Sequence, residues 1–312
     1  MIVRWSLGEL PAVLTELGLE HPFLVASHRW SPDVEVVGRW SEIPSHRIQV
    51  PAGADSLLAF GGGSAIDTAK HASSQTGLPV VSVPTTYSGA EWTAGFGIRS
   101  ADRRMVGAGG GADLAGIVYD VELTLDLPRA ETVGTAMNAL AHCAEALYVT
   151  GHNESGDRRA LEGAALITEW LPGVVERPAD RGARGMLLRG AAAGGEALAL
   201  AGLGIAHAMA QALGGTYGLP HGAMNALCLP PGVRFAAVEA ADAVRRFEQA
   251  LGATTVDALA GLGGFGRLRD FGLAEEDLPR VATAAAGRAG NRNMPRPASP
   301  AEIEELLHSI YR

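Results

Sequence analysis

Three consecutive glycines at residues 61–63 lie between an apolar segment and the start of a helical pattern, and this arrangement could bind a phosphate group. Glycine lets the backbone approach a phosphate without interference from a Cβ atom. The hydroxyl of Ser64 and the free N–H groups at the start of the helix could then donate hydrogen bonds to it. The glycines lack the G-x-G-x-x-G spacing, so they do not predict a standard Rossmann site. A plain strand-to-helix turn needs fewer glycines, which favours phosphate binding.

Hydroxyl side chains follow the next apolar segment. Thr85, Thr86 and Ser88 come directly after the apolar residues 79–83. The carboxyl ends of parallel strands line the ligand crevice of an open α/β sheet, where hydroxyl donors suit a polar ligand. The same residue types are common in ordinary loops, so this segment supports a binding site only in combination with the glycine turn.

Three histidines in the second half of the chain could form a site. Asn138 and His142 are four residues apart, so they point from one face of a helix. His207 and Gln211 repeat that spacing, and His221 follows across a glycine-rich segment that we expect to be a turn, residues 214–220. Three imidazoles and one side-chain oxygen could surround a divalent ion. Taken singly, each histidine is also compatible with an ordinary place in a helix interior.

The apolar patterning divides the chain near residue 128. Residues 1–128 contain short apolar runs broken by Gly and Pro, with helical periodicity between them, which predicts an α/β domain with a mostly parallel sheet. Residues 129–312 are alanine-rich with helical periodicity, which predicts a helical domain. The expected strands are residues 23–26, 46–50, 57–60, 79–83 and 117–119. We also expect one helix over residues 235–251 and a flexible glycine-rich segment at residues 105–113.

Composition narrows the class of protein. With 312 residues, 47% of them hydrophobic, the chain can bury a large core and is not disordered. A net charge of −9 argues against binding to nucleic acid or to an anionic membrane. Two cysteines, Cys143 and Cys228, are typical of reduced thiols, so we expect a cytoplasmic protein without a signal peptide. Residues 191–213 are strongly apolar but contain polar residues, which predicts a buried helix pair. Lys70 is the only lysine.

Together these motifs resemble the iron-containing alcohol dehydrogenase family. The resemblance rests on the glycine turn with Asp67 and Lys70, on the Pro-Thr-Thr of residues 84–86, on Asp120 with the Leu-Thr of residues 123–124, on the Leu-Pro of residues 127–128, and on the segment from His207 to the Pro-His-Gly of residues 220–222. The amino-acid sequences of residues 84–91, 134–148 and 293–307 are similar to those of the maleylacetate reductase branch. The resemblance implies the dehydroquinate synthase-like fold, in which a nucleotide-binding α/β domain precedes a helical domain.

The resemblance also implies site residues. Cofactor pyrophosphate would lie on Gly62, Gly63 and Ser64. The rest of the dinucleotide groove would be lined by six residues, namely Thr85, Thr86, Ser88, Leu123, Thr124 and Leu127. The metal positions, for iron or zinc, correspond to Asn138, His142, His207 and His221, and the three histidines would also be the catalytic residues. Arg29 stands near the position that meets the adenosine ribose, so NADPH would be accepted beside NADH.

The sequence departs from the family pattern in three places. Asn138 replaces an aspartate ligand, and a neutral amide compensates poorly for the desolvation of a dication, so metal occupancy is expected to be low or absent. Gln211 stands where the family usually has another histidine. Only two residues, Pro51 and Ala52, join Val50 to the segment Gly53-Ala54-Asp55, where the family has a helix that borders the adenosine side, so the shortened domain is expected to bind dinucleotide less well.

These observations favour an NAD(P)H-dependent reductase resembling maleylacetate reductase. Hydride would pass, in the cleft between the domains, to a carbonyl or to an alkene conjugated with a carbonyl of a small molecule. A nearby histidine would stabilise the developing charge and supply a proton. The alternative is a diverged lyase or cyclase that uses the histidine cluster for acid–base chemistry without redox turnover. A binding module has no positive support in the sequence. The family precedent also implies a homodimer.

Overall fold

Six parallel strands form the main sheet of the computed structural model, which describes residues 1–312. In chain order they are β1 (Ile2–Arg4), β2 (Pro22–Val25), β3 (Gly38–Trp40), β4 (Ser56–Gly61), β5 (Val80–Pro84) and β8 (Leu114–Val118). Their spatial order is β1-β8-β5-β4-β2-β3, and every neighbouring pair is parallel. The two remaining strands, β6 (Phe96–Arg99) and β7 (Met105–Gly109), form an antiparallel pair. The predicted mostly parallel α/β sheet is therefore confirmed.

Helices cover both faces of this sheet. Leu24 and Leu58 pack on one face with residues of α1 (Leu10–Glu16). Their neighbours along the strands pack on the other face with α2 (Gly63–Thr76). Because successive strand residues point to opposite faces, burial of both faces requires the continuous apolar runs seen in the sequence.

One expectation for this half of the chain is wrong. Residues 46–50 form no strand; Ile48 is buried against the sheet, but the N–H of Arg47 donates to the Ser45 hydroxyl at 3.1 Å instead of to a neighbouring strand. In the glycine-rich segment 105–113, the first five residues form β7. Two glycines of β7 have no side chain on the face toward β6, so the side chains of Phe96 and Ile98 of β6 lie directly over the β7 backbone.

The second half of the chain contains only helices. They are α3 (Arg129–Tyr148), α4 (Glu154–Glu176), α5 (Arg181–Ala201), α6 (Ile205–Tyr217), α7 (His221–Glu239), α8 (Ala241–Leu251), α9 (Val256–Gly261), α10 (Leu278–Ala286), α11 (Ala289–Arg292) and α12 (Pro300–His308). The sequence predicted one helix over residues 235–251, and this is wrong, because the backbone leaves the helical conformation at Ala240 and separates α7 from α8.

Helix α3 is the centre of this half, and it packs against α4, α5 and α7. The close approach of α4 to α5 depends on glycine: a Cβ atom at Gly163 would lie 3.0 Å from the backbone of Gly190 and of Gly194. No single helix is long and apolar enough to span a membrane; α5 and α6 meet the length and composition criteria only as a pair, bent by 101°.

The chain divides into two compact units that are not contiguous in sequence. The sheet unit comprises Met1–Thr86 and Ala90–Asp126, and the helical unit comprises Tyr87–Gly89 and Leu127–Arg312. The three residues Tyr87–Gly89 thus belong to the helical unit although the chain on both sides of them belongs to the sheet unit.

Candidate active site

The glycine turn joins β4 to α2 and lies beside Thr86. Gly62 is the N-cap residue of α2, and no side chain caps that helix. A Cβ atom at Gly62 would lie 2.9 Å from Cγ2 of Thr86 and 3.4 Å from its hydroxyl oxygen. The Thr86 hydroxyl is buried and has no hydrogen-bond partner in the protein. An uncapped helix N-terminus beside a free hydroxyl is suited to an anion such as a phosphate.

The predicted dinucleotide-binding residues are divided between the two units. Gly62, Gly63 and Ser64 lie at the start of α2, and Thr85 is next to them because its N–H donates to the Gly61 carbonyl at 3.1 Å. Two others lie in a 3₁₀ turn after β8 that is capped by Asp120, namely Leu123 and Thr124. The last two, Ser88 and Leu127, belong to the helical unit.

Arg29 lies in the loop after β2 with its side chain about half exposed. Its guanidinium carbon stands 4.8 Å from the centre of the Trp30 ring, and a terminal nitrogen is 3.8 Å from a carboxylate oxygen of Asp126. The Trp30 carbonyl accepts a hydrogen bond from Arg39 at 2.5 Å. Two arginines therefore lie beside this loop of the sheet unit.

In the helical unit, α3, α6 and α7 bring the three predicted histidines together. The rings of His142 on α3 and His207 on α6 are stacked with centres 4.7 Å apart. His221, the first residue of α7, lies with its ring centre 6.1 Å from that of His207. The expected turn over residues 214–220 is wrong in part, because α6 continues to Tyr217 and the left-handed Gly218 ends it. Gln211, one helical turn after His207, is half-buried.

Asn138 occupies the middle of this cluster with a fixed orientation. Its Nδ2 donates to the Ser88 carbonyl at 2.7 Å, which identifies the other side-chain atom as the oxygen. That Oδ1 accepts a hydrogen bond from Nδ2 of Asn225 at 2.7 Å and lies 3.2 Å from Nε2 of His207. The same Asn225 nitrogen lies 3.0 Å from Nε2 of His221.

Sequence reasoning missed Glu145 and Asn225. Glu145 is completely buried on α3, and its Oε2 lies 2.6 Å from Nδ1 of His207, while its Oε1 accepts the backbone N–H of His207 at 3.0 Å. Helical spacing could have indicated both residues: Glu145 follows Asn138 by seven positions and Asn225 follows His221 by four, so each lies on the same helix face as a predicted site residue.

Both ring nitrogens of His207 face oxygen atoms. Glu145 lies against Nδ1, and the Asn138 oxygen lies against Nε2. His142 is different: burial, together with the neighbouring His207 and His221, holds its pKa well below the ordinary histidine value, so its ring is neutral at pH 7.

These residues do not fit a divalent metal ion. No group of three or more His, Cys, Asp or Glu side chains is arranged to hold one. Within the predicted set, the Asn138 oxygen and Nε2 of His221 both face the amide nitrogen of Asn225, which carries only hydrogen-bond donors. Nε2 of His207 faces the same Asn138 oxygen. An ion would have to break these hydrogen bonds without gaining an anionic ligand.

Comparison with known proteins identifies the family. Residues 132–311 match the family model described as "Fe-containing alcohol dehydrogenase family, C-terminal", and residues 45–110 match "Iron-containing alcohol dehydrogenase". The chain is 35% identical to maleylacetate reductase 1 of Rhodococcus opacus over 263 residues, which cover 83% of this chain and 73% of the relative. It is 31% identical to maleylacetate reductase of Pseudomonas aeruginosa over 304 residues, covering 90% and 86%.

A solved structure gives the same result. The crystal structure of maleylacetate reductase from Agrobacterium tumefaciens superposes with a TM-score of 0.86 at 27% identity, over 99% of this chain and 95% of that one. The family models cover more than half of the sequence, and the curated relatives exceed 30% identity over most of it. The chain therefore belongs to the iron-containing alcohol dehydrogenase family and is an oxidoreductase.

Proposed function

We propose that this oxidoreductase transfers hydride from NADH or NADPH to a carbonyl, or to an alkene conjugated with a carbonyl, and that maleylacetate is its substrate. The similarity to proteins named maleylacetate reductase supports the substrate. The observation that carries the proposal is the turn at Gly62, where an uncapped helix meets the partnerless hydroxyl of Thr86.

The residues at this turn fit the pyrophosphate of a dinucleotide. The backbone at Gly62 lies so close to Thr86 that only a residue without a Cβ atom fits there. The N-terminus of α2 attracts negative charge through its free N–H groups and its dipole. The Thr86 hydroxyl, otherwise unsatisfied, gains an acceptor when a phosphate oxygen lies beside it. When bound, the dinucleotide supplies the hydride.

The helical unit contributes the proton chemistry. Hydride addition to a carbonyl-containing substrate leaves negative charge on an oxygen, and a nearby N–H donor stabilises it. His207 is that donor in this proposal, because Glu145 keeps its ring oriented. Asn138 accepts the Nε2 proton until substrate oxygen replaces it. His142 is neutral, so it serves as a hydrogen-bonding partner rather than as a cation.

No step of this mechanism requires a metal ion. In this proposal the charge that a Lewis acid would neutralise is met by an N–H group of His207, in a buried site where hydrogen bonds to charged groups are strong. Two hydrogen bonds explain why position 138 holds an amide rather than a carboxylate. The amide nitrogen donates to the Ser88 carbonyl, and the amide oxygen faces Nε2 of His207.

Titration with NADH and NADPH, followed by nicotinamide fluorescence, tests the cofactor. Maleylacetate is then added, and consumption of the reduced dinucleotide is followed by its absorbance. We expect saturable binding of at least one dinucleotide and turnover that depends on both components. Failure of the folded protein to bind either dinucleotide contradicts the proposal and favours acid–base chemistry without redox turnover. Binding without reduction of maleylacetate would retain the cofactor and reject this substrate.

A further inference from the structure

The ammonium group of Lys70, on α2, attaches the turn formed by residues 90–95 to that helix. Lys70 is the only lysine in the sequence, and its side chain is 1% exposed. Its Nζ donates to three backbone carbonyls of the same turn, those of Ala90 at 2.8 Å, Thr93 at 3.2 Å and Gly95 at 2.7 Å. A buried ammonium is costly unless acceptors surround it, and here the backbone of residues 90–95 supplies them.

Asp67 completes this attachment from one helical turn earlier. Its Oδ1 lies 3.0 Å from the Lys70 ammonium, and its Oδ2 accepts the N–H of Gly97 at 3.3 Å. The two charged side chains of α2 therefore hold both the carbonyl groups of the turn and the first residues of β6. A neutral side chain at position 70 would leave three carbonyls and a carboxylate without their shared donor.

A second anchor fixes the same turn to the end of β8. The buried Glu91 accepts a hydrogen bond from the Tyr119 hydroxyl at 2.6 Å, and the indole N–H of Trp92 donates to that hydroxyl at 2.7 Å. The turn is thus held on two sides, by α2 through Lys70 and by β8 through Tyr119. Such double attachment leaves its backbone little freedom to shift.

The position of the turn suggests what this rigidity is for. Helix α2 begins at the glycine turn, and Thr86 is only four residues before Ala90 in the chain. The Lys70 contacts therefore fix, relative to the helix that offers its N-terminus to a phosphate, a turn that begins four residues after Thr86. We propose that Lys70 is a positioning residue for dinucleotide binding, which keeps Thr86 and the glycine turn in fixed relative positions. This inference rests on the proposed dinucleotide function.

The donor set of this attachment suggests a rescue experiment. Replacing Lys70 by Ala removes the side chain but leaves the three carbonyls and Asp67 around a space that had held an ammonium group. Added ammonium or methylammonium ions carry the same N–H donors and can occupy that space. Tetramethylammonium carries equal charge but has no N–H group, so it is the matched control for ionic strength.

We expect Lys70→Ala to weaken NADH or NADPH binding about 10- to 100-fold, the loss that follows when a hydrogen bond to a charged phosphate is misaligned. Methylammonium should restore most of the affinity, tetramethylammonium should not, and kcat at saturating dinucleotide should change much less than Kd. Unchanged affinity in the folded variant, or a loss that neither ammonium nor methylammonium reverses, overturns the inference. If the wild-type protein binds no dinucleotide, the proposed function itself has failed, which is a distinguishable result.

A measurement on the wild-type chain keeps the inference testable if Lys70→Ala does not fold. N-hydroxysuccinimidyl acetate is added to the native protein, and acetylation of Lys70 and of the exposed Met1 amino group is followed by peptide mass spectrometry. The ester acetylates an unprotonated amine, with release of N-hydroxysuccinimide, and the Lys70 side chain is accessible to it only when the turn opens. We therefore expect bound dinucleotide to slow acetylation of Lys70 about tenfold or more while that of Met1 is unchanged. Equal rates with and without dinucleotide overturn the inference.

Discussion

One carboxylate, that of Glu145, holds both the side chain and the backbone of His207. Its two oxygens bind different atoms of the same residue, the ring Nδ1 at 2.6 Å and the backbone nitrogen at 3.0 Å. Both residues are buried. This double contact links α3 to the start of α6 and fixes the orientation of the ring, which leaves Nε2 directed at Asn138.

Glu145→Gln should lower kcat for the reduction. The amide keeps the size of the side chain but removes the carboxylate that contacts both Nδ1 and the backbone nitrogen of His207, so we expect a loss of about 100-fold or more, within the usual contribution of general acid catalysis. Dinucleotide affinity should stay within about twofold, because the glycine turn is untouched. Steady-state kinetics and fluorescence titration measure the two effects. Glu162→Gln, which alters an exposed ion pair with Arg159, is the control. A variant with wild-type kcat would exclude this role for Glu145.

Gly62→Ala should weaken dinucleotide binding without unfolding the protein. The backbone at Gly62 has an ordinary φ of −81°, so the added methyl group causes no backbone strain, but it would lie 2.9 Å from Cγ2 of Thr86. Displacement of the Thr86 hydroxyl should raise Kd about tenfold or more. Gly53→Ala, where the methyl group would meet nothing within 4 Å, is the control. If the Gly62→Ala and Gly53→Ala variants bind each dinucleotide with the same affinity, the glycine turn is not part of the cofactor site.

Arg29→Ala should shift the preference between dinucleotides toward NADH. A charge-assisted contact with a 2′-phosphate contributes about 1.5–3 kcal/mol, so NADPH affinity should fall about 10- to 100-fold while NADH affinity changes little. The Asp126 carboxylate and solvent exposure place the result at the lower end. Arg4→Ala is the control, since that arginine lies in the first strand and pairs with Glu9 and Glu16. An unchanged ratio of the two affinities would mean that Arg29 does not contact the ribose.

Purified wild-type protein should contain much less than one metal ion per chain, and its turnover should survive chelation. Asn138→Asp should take up more iron or zinc, because it provides an anionic ligand. Without metal it should be less stable by about 1–3 kcal/mol, since a carboxylate oxygen would replace the amide that donates to Ser88. Elemental analysis and thermal unfolding with and without metal measure these effects. Full metal occupancy with chelator-sensitive turnover in the wild type would show that Asn138 is a working ligand.

Glu91 should make stability depend on pH. Burial raises the pKa of Glu91, although the Tyr119 hydrogen bond and the Lys70 charge oppose that rise. The unfolded chain then loses this proton at a lower pH than the folded chain, so the free energy of unfolding falls as pH rises from the ordinary glutamate range to the raised pKa. Glu91→Gln should remove that decline, whereas Glu20→Gln, at an exposed site, should retain it. Urea unfolding across this pH range measures the effect. If the free energies of unfolding of the wild type and of Glu91→Gln change with pH in parallel, the prediction is refuted.

The sequence predicts the central strands well because their burial leaves a local signal. The apolar runs at 57–60 and 79–83 become β4 and β5, which are covered on both faces. The edge strands β1 and β3 are three residues long, too short for any periodicity to be recognised. The predicted strand at 46–50 fails because Ile48 is buried without backbone pairing, and apolar patterning reports only the burial.

The sequence likewise predicts one part of the candidate site and not another. Spacing along α3 correctly places Asn138 and His142 on one helix face, and the histidines of α6 and α7 meet them. The orientation of the Asn138 amide depends on a backbone carbonyl, that of Ser88, which lies fifty residues away in sequence. No pattern of side chains encodes that contact. The roles assigned to these residues in catalysis and cofactor binding stay predictions.

The three residues Tyr87–Gly89 limit how this protein can be dissected. The Tyr87 hydroxyl accepts a hydrogen bond from the buried Arg184 at 3.2 Å, and the Tyr87 N–H donates to the hydroxyl of Thr135 at 3.2 Å. A recombinant fragment beginning at Leu127 would lack these partners and would expose the interior that they fill. A chimera that exchanges the helical half between relatives therefore needs three crossovers, so that residues 87–89 and 127–312 come from the same parent.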